Sequence, residues 1–137
     1  VIDNALHKFL LPDGERRVRV TSNEDPDGMR SISLVKVAER LAGCTLLEVT
    51  IKTGRTHQIR VHLASQGHPI AGDDKYGDFS LNKRLAAQGL KRMFLHAWRL
   101  QFTHPTSGKR IELKSNLPPE LQLFTNHAKP KPSTPSV

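Results

Sequence analysis

Residues 46–77, LLEVTIKTGRTHQIRVHLASQGHPIAGDDKYG, constrain the rest of the chain most. Residues 46–51 are apolar and β-prone, so they read as a strand. Gly54 breaks it. Thr56 has the side chain of a helix N-cap, and residues 57–66 follow without Gly or Pro. Gly67 stands where a helix C′ glycine would, and Pro69 forbids continuation. The segment is predicted to run strand, tight turn, short helix, stop. Ile59 and Leu63, four apart, would face a core. Thr56, His57 and Arg60 fall along a neighbouring stripe. Lys52, Arg55, His57, Arg60 and His62 crowd eleven residues around the helix start, a density that suits an anionic ligand. Charge alone would fit a solvated basic face as well.

A chain of 137 residues is expected to form one domain. Its net charge of +8 points to a polyanionic partner, most often nucleic acid. The charge is uneven. In residues 1–80 eleven Lys/Arg balance eleven Asp/Glu, whereas in residues 81–137 ten Lys/Arg face only Glu112 and Glu120. The single cysteine, Cys44, rules out a disulfide framework and fits a reducing compartment. No signal peptide and no apolar run of membrane-spanning length is found, so the cytoplasm is expected and a membrane partner is not.

Elsewhere the pattern is coarser. Pro12-Asp13-Gly14 is a turn signal, residues 17–20 alternate as a short strand, and residues 21–28 form an acidic, turn-rich loop. Residues 31–39 are predicted to be a strand that pairs with 46–52 as an antiparallel hairpin through 41–45. A helical stretch is expected at 81–88. Residues 93–103 read as a strand with Phe94, Trp98, Leu100 and Phe102 available to a core. After a turn at 104–108, residues 109–114 complete a second hairpin. Pro118-Pro119 opens a helix over 120–127. Residues 128–137, with three prolines, two serines and two lysines, are expected to be a disordered basic tail behind a domain of residues 1–127. His57 and His62 are five apart, not on one helix face, so no metal site is expected. Neither a Gly-x-Ser-x-Gly turn nor a Gly-x-x-x-x-Gly-Lys loop occurs.

TGRTHQIRVHLA followed by GHPIAGDDKYG strongly resembles the third sequence motif of the RluA family of pseudouridine synthases. Its RluC-type members, which modify large-subunit ribosomal RNA, are the most similar. The resemblance covers residues 30–120 and takes in LLEV before the motif, LHAWRLQFTHPTSGK after it, and LPPEL. It implies an α+β fold, a mixed, mainly antiparallel sheet flanked by short helices, with an RNA-binding cleft. It also implies an RNA pseudouridine synthase that isomerises specific uridines of ribosomal RNA. Such an enzyme needs no cofactor, because the base never leaves the site. The residues do not fix an oligomeric state; a monomer is expected of the complete protein. The target uridine would be flipped from its stack.

By the same resemblance Arg60 is the catalytic residue. The motif places an arginine there to pair with a catalytic aspartate, keeping it ionised and oriented in a water-poor pocket. A lysine would do this less well. Lys52, Arg55, Thr56 and His57 are expected to contact RNA. The family's catalytic aspartate lies in a His-Arg-Leu-Asp string, which this chain lacks, as it lacks the motif with an active-site tyrosine. Asp73 and Asp74 match positions outside that catalytic motif, and Tyr76 belongs to the GD-x-x-YG turn with an expected structural role. The chain, which begins with Val1, therefore reads as the C-terminal half of a catalytic domain, its fold incomplete and its nucleophile on the absent half. Two other readings stay open: a non-catalytic basic RNA-binding module and a ribosome-associated structural protein.

Overall fold

A computed structural model describes residues 1–128. The expected tail therefore lies, apart from Ala128, outside the described residues. The elements in order are β1 (Ile2–Asp3), β2 (Leu6–Leu10), β3 (Arg16–Val20), β4 (Ile32–Leu41), β5 (Cys44–Ile51), α1 (Gln58–Ser65), α2 (Phe79–Ala87), β6 (Arg99–Thr103), β7 (Arg110–Lys114) and α3 (Pro119–His127). The architecture is α+β, and every described strand pairing is antiparallel. The strands form three sheets, β1-β4-β5, β2-β3 and β6-β7.

Both hairpins expected from the sequence are present. Leu41 pairs with Cys44, so β4 and β5 turn on Ala42 and Gly43, with Gly43 at φ 75°. That left-handed glycine is what so tight a connection requires. A bulge at Ala38 shifts the register between Val37 and Glu39. Among the described residues the outer edge of β5 pairs with no strand. A third hairpin, β2-β3, was not foreseen in full. Its first strand, LHKFL, lacks a clean alternation, yet Leu6 is buried and pairs with Val20. The acidic loop 21–28 is braced by Asp25, whose carboxylate accepts from Thr21 Oγ1 at 2.6 Å and from the Asp27 amide at 2.9 Å.

Among the described residues two small clusters of buried residues form the core around α1. Ile2, Leu63 and Ile70 pack with Val35, Leu47, Ile59, Met93 and Leu95. Leu6, Val18 and Val61 pack with Val20 and Tyr76. Helix α1 presses Ile59 and Leu63 into the first cluster, as their spacing predicts, and Val61 into the second. Each such side chain contributes about 1.5–3 kcal/mol by leaving water. The predicted core role of Trp98 and Leu100 is corrected. The strand begins only at Arg99, and Trp98, Leu100 and Leu113 are exposed. Among the described residues no second layer covers that face of the β6-β7 hairpin. Phe94 instead meets Phe124 of α3, ring centroids 5.9 Å apart.

The start of α1 also differs from expectation. Thr56 does not cap it. The N-cap is His57, with φ 52° and ψ 23° and no capping side chain. Buried Gln58 braces the helix start instead, and its Oε1 accepts from the Arg55 amide at 3.1 Å and from Thr53 Oγ1 at 2.7 Å. Its Nε2 donates to Ile32 O and Ser33 Oγ, both at 2.9 Å. Ser33 Oγ in turn meets His62 Nδ1 at 2.8 Å, and His62 Nε2 reaches Asn4 O at 2.9 Å. This chain of satisfied buried polar groups fixes the helix against β4 and the segment after β1. The helix ends as predicted. Gly67, at φ 79°, donates to Ala64 O and His68 donates to Leu63 O, the paired bonds of a glycine-terminated helix.

Candidate functional site

The turn between Ile70 and Gly77 carries the chemistry that α1 faces. Asp73 is fully buried, and Arg60 reaches it side-on. Nε donates to Oδ2 at 2.9 Å and Nη2 to Oδ1 at 2.7 Å. Oδ1 also accepts the amides of Lys75 at 2.9 Å and Tyr76 at 3.1 Å. Burial pushes the Asp73 carboxyl up, but the Arg60 bonds and the two amides outweigh it and hold it below its ordinary 3.8. Hydrogen bonding to Asp73 correspondingly raises Arg60. Asp74 lies 3.6 Å from Arg60 Nη2 with its own side chain exposed.

The turn is rigid for identifiable reasons. Asn82 of α2 spans it, accepting the Gly72 amide at 2.8 Å and donating to Asp73 O at 2.7 Å. Gly72 has φ 81°, and a Cβ there would lie 2.2 Å from Arg92 O. Only glycine meets both demands.

Tyr76 is the hub beside this ion pair. Its hydroxyl accepts the Val18 amide at 3.0 Å and meets His57 Nδ1 at 2.8 Å. The Arg60 guanidinium sits 5.2 Å from its ring centroid and that of Arg17 5.8 Å. Glu15 holds Lys75 Nζ at 2.9 Å and lies 3.4 Å from Arg17 Nε, so part of the positive charge here is compensated. Burial lowers His57 below its ordinary 6.5, and Arg60, Lys75 and Arg17 lower it further against the opposing pull of Asp73.

Of the residues singled out in the sequence, Arg60 and His57 converge on Tyr76. Lys52 and Arg55 are exposed in the turn between β5 and α1, and Thr56 is half-buried there. Arg55 is steered by its Nε bond to Arg30 O at 3.0 Å. His62 leaves the basic group: it is fully buried in the polar chain that ties down α1. Asp73, Tyr76, Arg17 and Asn82 complete the site; the sequence reading placed Asp73 outside the catalytic motif and gave Tyr76 a structural role, and did not single out Arg17 or Asn82. The one signal available was the GDDKYG string, whose spacing gives no direction for the Asp73 side chain. A separate group, His7, Asp25 and Asp27, brings three potential metal-ligating atoms within 4.8 Å of one another. Both Asp25 oxygens there already accept hydrogen bonds from within the loop. Among the described residues no helix is long and apolar enough to cross a membrane.

Residues 2–65 match a family described as RNA pseudouridylate synthase. The chain is 42% identical over 124 residues to "Ribosomal large subunit pseudouridine synthase C" of Haemophilus influenzae, covering 90% of this chain and 37% of that protein. It is 47% identical over 112 residues to the protein of the same name in Escherichia coli strain K12, covering 80% of this chain and 34% of that one. The chain thus spans little more than a third of the length of these curated relatives. In three dimensions it resembles a human protein titled "Human RNA Pseudouridylate Synthase Domain Containing 1". The TM-score is 0.66 at 26% identity, over 96% of this chain and 60% of that one.

Proposed function

The chain belongs to the RluA family of pseudouridine synthases, RluC type, and we propose that it serves to isomerise specific uridines to pseudouridine in large-subunit ribosomal RNA. In this reading residues 1–127 form the C-terminal part of a catalytic domain that acts in the cytoplasm. The N–C glycosidic bond of a flipped uridine breaks, the base turns, a bond to carbon C5 replaces it, and the C5 proton passes to the freed nitrogen. Atoms and electrons balance without a cofactor.

The observation that carries this reading is the pose of Arg60. Two of its guanidinium nitrogens are anchored by buried Asp73, and its Nη1 makes no hydrogen bond among the described residues. A guanidinium so fixed serves to keep a catalytic carboxylate ionised and oriented. Asp73 itself is unsuited to attack a sugar or base. It is fully buried, and its oxygens are engaged by four donors. The nucleophile in this reading is an aspartate outside the described residues. Lys52, Arg55, Thr56 and His57 lie on the turn leading into α1, where an RNA strand would reach them.

The test is tritium release from large-subunit ribosomal RNA labelled at uridine C5, with the complete enzyme. Release that matches pseudouridine formed supports the proposal. Tight RNA binding without release would establish the binding-module reading instead.

A further inference from the structure

His57 is the one non-glycine residue with a left-handed backbone among the described residues. Such a conformation persists only where its surroundings impose it. The side chain of His57 meets the Tyr76 hydroxyl, 2.8 Å from its Nδ1, with the two rings edge to face at 5.4 Å and 65°. That hydroxyl already accepts the Val18 amide at 3.0 Å. Tyrosine has one hydroxyl proton to give. Given to His57 Nδ1, it leaves the imidazole hydrogen on Nε2. The reverse arrangement, with His57 donating from Nδ1, would leave the hydroxyl proton without an acceptor among the described residues. Nε2 makes no hydrogen bond among the described residues, and His57 is only half-buried.

The geometry points to Tyr76 as a positioning residue that fixes His57 as the Nε2–H tautomer, so that His57 offers a neutral N–H to a phosphate oxygen of the RNA strand. The inference rests on the RNA-modifying function proposed above. Around the ring, Arg60 from α1, Arg17 from β3 and Lys75 from the turn disfavour a cationic imidazole, and Asp73, Asp74 and Glu15 are engaged by these three cations and not by His57. A cationic imidazole would give up the hydrogen bond from Tyr76. The left-handed backbone and the edge-on ring contact therefore act together to aim one N–H outward.

The experiment is nitrogen NMR of the imidazoles in the complete enzyme, paired with RNA binding and steady-state kinetics. The wild type is expected to give an unprotonated Nδ1 and a protonated Nε2 for His57 near neutral pH. Tyr76→Phe should lose that bias and weaken RNA binding about tenfold, as expected for one hydrogen bond to a charged group. The effect should fall on KM more than on kcat. His57→Asn keeps a residue that tolerates the left-handed region but is too short to place a donor at the Nε2 position. It should lose as much affinity as Tyr76→Phe, and the double variant should lose no more than either. A wild-type His57 protonated at Nδ1 overturns the inference. So does a folded Tyr76→Phe with altered tautomer and unchanged affinity. Where Tyr76→Phe fails to fold, the wild-type tautomer and the affinity of His57→Asn decide. A wild type that isomerises no uridine counts against the proposed function, while the tautomer measurement still stands for or against the Tyr76 role.

Discussion

Arg60 and Asp73 form a two-bond ion pair at 2.9 and 2.7 Å, with the carboxylate fully buried and the guanidinium side chain 13% exposed. The arginine is thereby a fixed object and not a mobile surface charge. Its plane is set by Asp73, its position is backed by the Tyr76 ring, and its remaining nitrogen is the part that can act.

Arg60→Lys should cripple the enzyme although it keeps the charge. Lysine cannot reproduce two parallel N–H bonds to Asp73 while offering a third donor elsewhere. A rate loss on the order of a hundredfold or more is expected, in line with losing a preorganised electrostatic partner. Single-turnover assay of uridine isomerisation, with circular dichroism to confirm folding, checks it. Near-normal turnover in a folded variant would remove Arg60 from the mechanism.

Asp73→Asn should act first on stability. It leaves Arg60 without its counter-charge in a largely buried place, a change that costs about 3 kcal/mol. Urea unfolding of the wild type and variant measures it. The same pair sets a pH dependence. Asp73 is held below its ordinary 3.8 in the folded state, so its contribution is complete above that value and is lost as pH falls through the lower folded one. His57, also lowered from 6.5, adds a loss that begins as pH falls below 6.5, because the unfolded chain protonates first. Acidification should therefore erode stability in two stages, and Asp73→Asn should remove the more acidic one.

How legible was this in the sequence? The strand, the helix stop at Gly67 and both outer hairpins follow from local chemistry: alternation, glycine at positive φ, proline as a breaker. Arg60 and His57 were visible because they sit in one contiguous motif. Asp73 and Tyr76 lie in the same motif, but the Arg60 ion pair and the His57 contact they make were not legible there, since these depend on a turn that folds back across α1. Nothing local says that an aspartate thirteen residues on will meet Arg60. Thr56 misled for a related reason. No side chain caps the helix; the buried network from Thr53 to His62, in which Gln58 Oε1 takes the Arg55 amide and Thr53 Oγ1, fixes its start instead. Trp98 misled because alternation marks a strand face without saying whether any layer covers it.

Gly72→Ala should destabilise by about 2 kcal/mol or more, since a Cβ 2.2 Å from Arg92 O forces backbone to move and φ 81° adds strain. Gly54, where a Cβ would meet nothing within 4 Å and φ is not in the left-handed region, is the control. Gly54→Ala should be close to neutral. Thermal unfolding of the two variants separates a backbone contact from a general glycine effect.

RNA affinity should depend steeply on salt. Exposed Lys52 and Arg55, with the basic residues of segment 83–114, are the expected phosphate contacts. Neutralising one, as in Lys52→Gln, should weaken binding alike for all sequences and reduce the log–log salt slope by about one unit. Titrations at several ionic strengths read this directly. An unchanged slope would take Lys52 out of the RNA interface.

The last prediction concerns the 137-residue chain by itself, which should isomerise no uridine. Of the two carboxylates nearest Arg60, Asp73 is spent on four hydrogen bonds and Asp74 points to solvent with its side chain 88% exposed. Neither is placed as a nucleophile in a water-poor pocket. The chain alone should also self-associate. The outer edge of β5 has no partner strand among the described residues, its sequence CTLLEVTI is strongly β-prone, and its one charge, Glu48, is occupied by Arg99 at 3.0 Å. Ile51, half exposed at the end of that strand, is where a charge should blunt the edge. Ile51→Lys should therefore shift the chain toward monomer in size-exclusion chromatography, with circular dichroism as the folding control. A soluble wild-type monomer would refute the open-edge argument and leave the enzymatic assignment in place. Measurable turnover by the isolated chain would do more: it would put the nucleophile within these residues, and Asp73 and Asp74 would be the first to replace.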